Sequence, residues 1–396
     1  MGQTRYYRCC FSPVDVYFFG GEKNFPFGQQ SLAEKKEYFI RSEDFPSQST
    51  VFGAIRFMLL DKAGLLDNGA GARSAEDPSL CEKQGVLIGR KGFSMAEKDA
   101  MGEYGILKGI SPLFLYDKEN GKKLLPAPLN HCGKAASLPA ETSSGDAQRN
   151  GHYETYIPLS FKKYEDIHTD LGGAILPDDY RAKSGLTDGF LVLDGKNEII
   201  KREDVIGQMV QTRIARGMEQ GGLFKMEFKY LKDSYSFCVM VKVDAPDCPD
   251  SRQMPFYDHG IVFMGMEKST FQYDVLEVNK ATFQELKNAI QKIRMTDMDD
   301  VSVYYAASDC YMSTGQRSVP LFWILQKKNL RTLERQKGTD YHSSMKKSRL
   351  YQMVRAGSVF YVRKDEEMEK EFLGRFDYPG LKQIGFNQII RTGRDQ

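Results

Sequence analysis

Histidine is scarce in this chain. Five occur in 396 residues, at 131, 152, 168, 259 and 342, and no two fall in an H-E-x-x-H or C₂H₂ pattern. The spacing alone excludes a zinc peptidase or a zinc finger. The seven cysteines (9, 10, 81, 132, 238, 248 and 310) are scattered and form no C-x-x-C. That excludes a zinc ribbon or a thioredoxin-like pair and predicts reduced thiols, with no metal and no cofactor implied. Long apolar runs are missing too: Val319 to Leu325 is only seven residues and contains Pro320, against about 20 for a membrane span. The opening MGQTRYYRCCFSPVD has no apolar signal core, and Tyr6 stands where a myristoylation signal carries Ser or Thr. The reading is a soluble, cytoplasmic chain with no membrane partner. Charge of one sign is also lacking. Lys and Arg number 55 against 53 Asp and Glu, a net of +2, so a polyanion site must be a local patch. No P-loop, dinucleotide fingerprint or nucleophile elbow is present.

What is present is a globular composition, 41% apolar and 27% charged, in a length that fits two to three domains. Residues 4–19 are aromatic and β-prone. Pro46 precedes Ser47, Gln48, Ser49 and Thr50, an N-cap cluster. Apolar residues at 51, 52, 55, 58 and 59 then keep helical spacing, and Gly64 is the expected stop. Gly85 to Gly89 and Ile110 to Tyr116 read as short strands, and residues 67–80 and 131–151 as long polar loops. Phe224, Met226, Phe228 and Tyr230 alternate with charged residues and a turn follows near Lys232, so 223–243 reads as a hairpin. Three prolines between Asp244 and Pro255 mark a boundary, giving domains of 1–245 and 256–396. The second half predicts strands at 260–264, 270–278, 301–307, 318–326 and 358–363 around a helix at 281–294. Both halves fit α+β sandwiches, the first with a large insertion.

Charge is the strongest chemical signal. Between Lys327 and Lys364 there are eleven Lys or Arg, opposed only by Glu334 and Asp340, a local net of +9. Tyr341, Tyr351, Phe360 and Tyr361 are interleaved. Cations for phosphates and flat rings for unpaired bases are what a single-stranded RNA groove requires. A second basic group, Lys201, Arg202, Arg213 and Arg216, precedes the glycine-rich 217–224. His342, among hydroxyls and lysines, and the weaker His259 are the candidate bases for metal-independent RNA cleavage. The carboxylates from Asp297 to Asp300 read as a solvated turn rather than a metal site.

Several blocks resemble one family. Pro46-Ser-Gln-Ser-Thr-Val-Phe-Gly-Ala-Ile-Arg56 is similar to the helix-one motif of the RAMP proteins of CRISPR systems. Ser111-Pro-Leu-Phe-Leu, Leu125-Pro-Ala-Pro-Leu, Arg213-Ile-Ala-Arg-Gly-Met-Glu-Gln-Gly-Gly-Leu-Phe, Gly265-Met-Glu-Lys-Ser and Ala356-Gly-Ser-Val-Phe-Tyr resemble, in that order, the third subunit of the Cmr (type III-B) effector. The resemblance implies two tandem ferredoxin-like (RRM-like) domains and a non-catalytic subunit capping the 5′ repeat-derived tag of the CRISPR guide RNA. Its implied partners are the large palm-domain subunit and the adjacent backbone RAMP subunit. Ser47, Ser49, Thr50 and Arg56 are then expected at phosphates, helped by Arg202, Arg213, Arg216 and Lys268. Lys382, Gly385, Phe386 and Asn387 are expected to form a terminal RNA loop. Rival readings are the tag-binding subunit of a type III-A complex, a RAMP endoribonuclease processing guide precursors, and a purely structural assembly protein.

Overall fold

The computed structural model describes residues 4–24, 38–66, 78–131, 153–164, 174–177, 188–193, 196–214, 223–244, 255–265, 267–295, 298–313, 319–336 and 344–393. All of the expected 131–151 insertion after His131, together with Arg216, Tyr341 and His342, lies outside the described residues, as does most of the 67–80 loop. The fold is α+β, rich in sheet and poor in helix. No helix among the described residues is long and apolar enough to cross a membrane.

A central sheet has ten strands, nine of them in the order β15 (His259–Met264), β16 (Ser269–Val278), β1 (Thr4–Pro13), β14 (Tyr235–Asp244), β5 (Phe114–Asp117), β6 (Lys122–Pro126), β10 (Gly189–Val192), β11 (Glu198–Lys201) and β7 (Tyr153–Thr155). The tenth, β4 (Leu107–Ile110), pairs with β14 beyond β5. A second sheet runs β12 (Ile206–Ile214), β13 (Leu223–Leu231), β3 (Tyr38–Ser42), β2 (Gly20–Asn24). A third runs β18 (Pro320–Ile324), β23 (Val359–Arg363), β17 (Val301–Ala306), β24 (Ile389–Arg391). Three two-stranded pairs complete the set: β8 (Phe161–Tyr164) with β9 (Ala174–Pro177), β19 (Lys327–Leu330) with β22 (Tyr351–Val354), and β20 (Leu333–Gln336) with β21 (Ser344–Lys347).

Side chains alternate across strands, so each sheet has two faces to cover. Tyr7, Cys9 and Phe11 of β1 meet Val51, Phe52, Ile55, Met58 and Leu59 of helix α1 (Gln48–Lys62) on one face of the central sheet. Cys10, Cys238 and Met240, on the other face, meet Leu286 and Ile290 of α3 (Lys280–Gln291) and Val303, Tyr305 and Tyr361 of the third sheet. The far side of the third sheet packs Tyr304 and Phe360 against Phe372 of α4 (Glu366–Gly374).

Helix α1 starts and stops where its sequence dictates. Ser47 caps it, and Gly64, at φ +65°, closes it with its N–H on the Asp61 carbonyl while the Leu65 N–H reaches Leu60. Glycine adopts that left-handed backbone without a Cβ penalty.

Four expectations change. The alternation in 223–243 is real, but β13 pairs with β12 and β3 while β14 pairs with β1, β4 and β5, so the two strands are not a hairpin. Periodicity reports which residues face a core, not which strand lies alongside. Gly85 to Ile88 belong to helix α2 (Pro78–Ile88), a short apolar run that reads either way. The central sheet crosses the expected 245–256 boundary, because β1 pairs with β14 on one side and β16 on the other. Finally, Cys10 and Cys238 stand directly opposite in the β1–β14 register and are joined by a disulfide, against the expectation of reduced thiols throughout.

Candidate nucleic-acid interface

The first turn of α1 gathers three hydroxyls. Ser47 Oγ accepts from the Thr50 N–H at 3.2 Å and lies 2.9 Å from both Ser49 Oγ and Thr50 Oγ1. All three side chains keep partial exposure, at the helix end where free N–H groups and the aligned peptide dipoles favour an anion. Gln48 points the other way and is buried, its Nε2 donating to the carbonyls of Ser111 (3.3 Å) and Gly385 (3.2 Å). Two expected elements, the helix-one start and the terminal glycine loop, are thereby tied together. Gly385 sits at φ +92°, and a Cβ there would lie 2.4 Å from the Ser111 carbonyl oxygen, so only glycine permits the contact.

Phe386 and Asn387 of the terminal loop turn inward, against the expectation that their side chains meet RNA. Phe386 is fully buried and packs near Phe93. Asn387 is 2% exposed; its Oδ1 accepts from the Tyr311 N–H at 2.7 Å and its Nδ2 donates to the Tyr311 carbonyl at 2.8 Å. Both are scaffold, with no surface left for a base. Lys382 stays exposed, paired with Asp377 at 2.7 Å.

Arg56 differs from expectation. Its guanidinium is half-buried rather than in water, with Nη2 3.4 Å from the Gly89 carbonyl and the Phe52 ring 5.4 Å away. Its Nε is enclosed without a hydrogen-bond acceptor among the described residues, and burial pulls its pKa below the usual arginine value. Arg202 lies beside the segment leading into α1, but its charge is already taken. It grips Asp44 through Nε (2.6 Å) and Nη2 (2.5 Å), and this bonding raises its pKa despite the cost of burial. Arg213 pairs with Glu267 at 2.8 Å, next to exposed Lys268 in the β15–β16 turn. These two form a second group on the β12 arm.

Two cations of the +9 segment are turned inward onto carboxylates. Lys328 lies 2.9 Å from Asp309 and 3.7 Å from Glu43, and Arg355 lies 3.4 Å from Glu43. Tyr351, Phe360 and Tyr361 are core residues, so these three interleaved aromatics are not base platforms. Lys327, Arg331, Arg349, Arg363 and Lys364 remain exposed. His259 is exposed beside Asp258, 3.0 Å away.

The sequence reading missed Lys98, Tyr311 and Tyr378, which meet beside Asn387, with the Lys98 ammonium 5.4 and 5.2 Å from the two ring centroids. They come from three distant stretches, and nothing local marks them.

No curated protein matches the chain. Among solved structures it is similar to a chain of the type III-B Cmr-beta complex bound to cognate target RNA, at 11% identity and TM-score 0.44 over 98% of this chain and 99% of that one. It is similar to one of the same complex with target RNA and AMPPnP, state 1 (12%, 0.41, 97% and 98%). A third likeness is to a chain of the Csm3–Csm4 subcomplex of the type III-A CRISPR-Cas interference complex (10%, 0.32, 91% and 92%). A family model described as CRISPR-associated protein (Cas_Cmr3) matches residues 10–392. That span takes in α1, the Gly385 loop and nearly every strand, and the chain belongs to the Cas_Cmr3 family of CRISPR-associated proteins, the Cmr subunit that its sequence blocks resemble.

Proposed function

We propose that this type III-B effector subunit is non-catalytic and caps the 5′ repeat-derived tag of the guide RNA. The observation that carries the reading is the start of α1, where Ser47, Ser49 and Thr50 cluster at a helix N-terminus clamped by Gln48 to the Gly385 loop. Hydroxyl donors and a positive helix end suit a phosphate chain. Lys382 extends this face, and Arg213 with Lys268 offers a second contact along the β12 arm. The second half also supplies a strand–helix–strand order, β16–α3–β17, and in the first half α1 lies between β1 and β4 with β2, β3 and α2 interposed, which is the support for tandem ferredoxin-like units. Docking on the large palm-domain subunit and the adjacent backbone RAMP subunit is supported by apolar residues left outside. Ile261, Phe263 and Leu276 are 56%, 60% and 53% exposed on the outermost strands of the central sheet.

The test is to purify the tagged protein from its native cells, treat it with nuclease and sequence the RNA that survives. A shared 5′ repeat-derived end is expected. Surviving RNA without a common end would sink the tag reading. Cleavage of repeat RNA by the pure protein in EDTA would replace it with the processing enzyme.

A further inference from the structure

Tyr311 and Tyr378 meet edge to face, with ring centroids 5.2 Å apart and planes at 69°. Both are half-buried, unlike the closed aromatic cluster of Phe360, Phe372 and Phe376. Tyr311 rests edge-on against buried Tyr351, 6.1 Å away, and the guanidinium of exposed Arg349 lies 4.7 Å from the Tyr351 ring. The surface thus has flat rings in its floor and cations at both ends.

Its geometry is held from three sides. Asn387 grips both backbone polar groups of Tyr311. Gln383, in α5 (Pro379–Gln383), does the same for Gly102, at 2.8 Å to the N–H and 3.0 Å to the carbonyl. The Gly380 N–H donates to the Lys98 carbonyl at 3.0 Å, and a Cβ on Gly380 would come within 2.5 Å of the Ala100 carbonyl oxygen. These contacts press the Lys98 stretch against Tyr378. Through Gly385 and Gln48 the same scaffold reaches the hydroxyls of α1.

We propose that Tyr311 and Tyr378 are a stacking platform for an unpaired RNA base, with Lys98 and Arg349 taking the flanking phosphates. The inference rests on the reading that this chain holds RNA, and adds where a base is received. A π-face accepts any base, so the site is selective for single strands rather than for sequence. Lys98 also lies 3.2 Å from Asp99; its stem is packed, with 14% of the side chain exposed, while Asp99 is 71% exposed, so a phosphate can take the place of that carboxylate.

The test uses the full chain and a short single-stranded RNA carrying 2-aminopurine. Tyr378→Leu should weaken binding roughly tenfold and abolish the fluorescence quenching that stacking causes, leaving the salt slope unchanged. Tyr378→Phe should bind as the parent does. Lys98→Gln should instead flatten the slope of log K against log salt by ~0.7. If the parent binds and quenches while Tyr378→Leu and Tyr311→Leu, both folded by thermal melting, match it, the platform is wrong and the RNA reading stands. If the parent binds no RNA, the RNA reading fails and takes the platform with it.

Discussion

Two regions of this protein carry cations, and they use them in opposite ways. The segment from Lys327 to Lys364 is the most basic stretch of the chain, yet Lys328 and Arg355 are turned onto Glu43 and Asp309. The face formed by α1, Lys98 and α5 has far fewer charges, but leaves hydroxyls, half-open rings and Lys382 at the surface. The difference lies in where the carboxylates come from. Glu43 and Asp309 are distant in sequence, so a local count sees the positive charge and misses its neutralisation. Net charge of a segment measures what must be balanced, not what is free to bind.

The sharpest way to break this comparison is Lys328→Ala. The change leaves Asp309, whose side chain is 15% exposed, with the Ala356 N–H and the more distant Arg355. Removing one partner of a buried pair costs ~3–5 kcal/mol, because the remaining charge keeps its desolvation penalty. Urea unfolding should register that loss. Replacing Lys328 and Asp309 together by Met and Leu should recover most of it. A loss below ~1 kcal/mol would mean that Lys328 faces water after all, alongside the segment's exposed cations, and the basic groove would return.

Acid should act on the same network. Burial pushes the Asp309 carboxyl up, but Lys328, the Ala356 N–H and Arg355 outweigh it and hold the pKa below the ordinary 3.8. Asp44 is lowered likewise, with Arg202 and Lys229 overcoming burial. A folded pKa below the unfolded one adds stability that is complete above 3.8 and is lost as pH falls through the folded value. Asp188, raised by burial, opposes this in part. The urea midpoint should therefore hold steady near neutrality and fall steeply below about pH 4. Asp309→Asn should lower the neutral plateau and soften that fall. An unchanged acid limb in the variant would remove Asp309 from the network.

Much of this was legible in the sequence, and what was not has a common cause. Ser47, the apolar stripe of α1 and Gly64 are local signals, and the helix matches them. The strand at 270–278 was equally clear, because alternation reports burial directly, and those at 260–264 and 301–307 showed as short β-prone apolar runs. The false hairpin at 223–243, the inward Phe386 and Asn387 and the paired Arg202 were misread because pairing is long-range. Gly385 was singled out as an RNA contact, whereas the structure shows a packing role: its missing Cβ admits the Ser111 carbonyl. Lys98, Tyr311 and Tyr378 form a cluster only in three dimensions.

Arg56 tests the comparison at smaller scale, since it sits on the α1 face but is half-withdrawn. With one long hydrogen bond and no carboxylate against it among the described residues, Arg56→Met keeps the stem on Phe52 and should change stability by less than ~1 kcal/mol. Because the guanidinium faces Gly89, RNA affinity should fall no more than about twofold, within the effect of one weak exposed ion pair. A several-fold loss with an unchanged melting curve would place Arg56 on the RNA instead.

The smallest expected effect is on the β12 arm, and its sign makes it informative. Arg213 and Glu267 are 37% and 38% exposed, 2.8 Å apart, with the Phe228 ring 4.9 Å from the guanidinium. An exposed pair contributes ~0–1 kcal/mol and is screened by salt. A double-mutant cycle between Arg213→Ala and Glu267→Ala should therefore give a coupling below ~1 kcal/mol that disappears at high salt. RNA binding should behave differently. If the arm lies along a phosphate chain, Glu267 competes with phosphate for Arg213. Glu267→Ala should then strengthen binding slightly and steepen the slope of log K against log salt by up to ~0.7, while Arg213→Ala weakens binding and flattens it. Loss of an acid and loss of a base are both neutral for an arm that never meets RNA. Equal affinities across the cycle, in a protein that still binds through the α1 face, would remove the arm from the interface and leave Lys268 and Arg213 as ordinary surface charge.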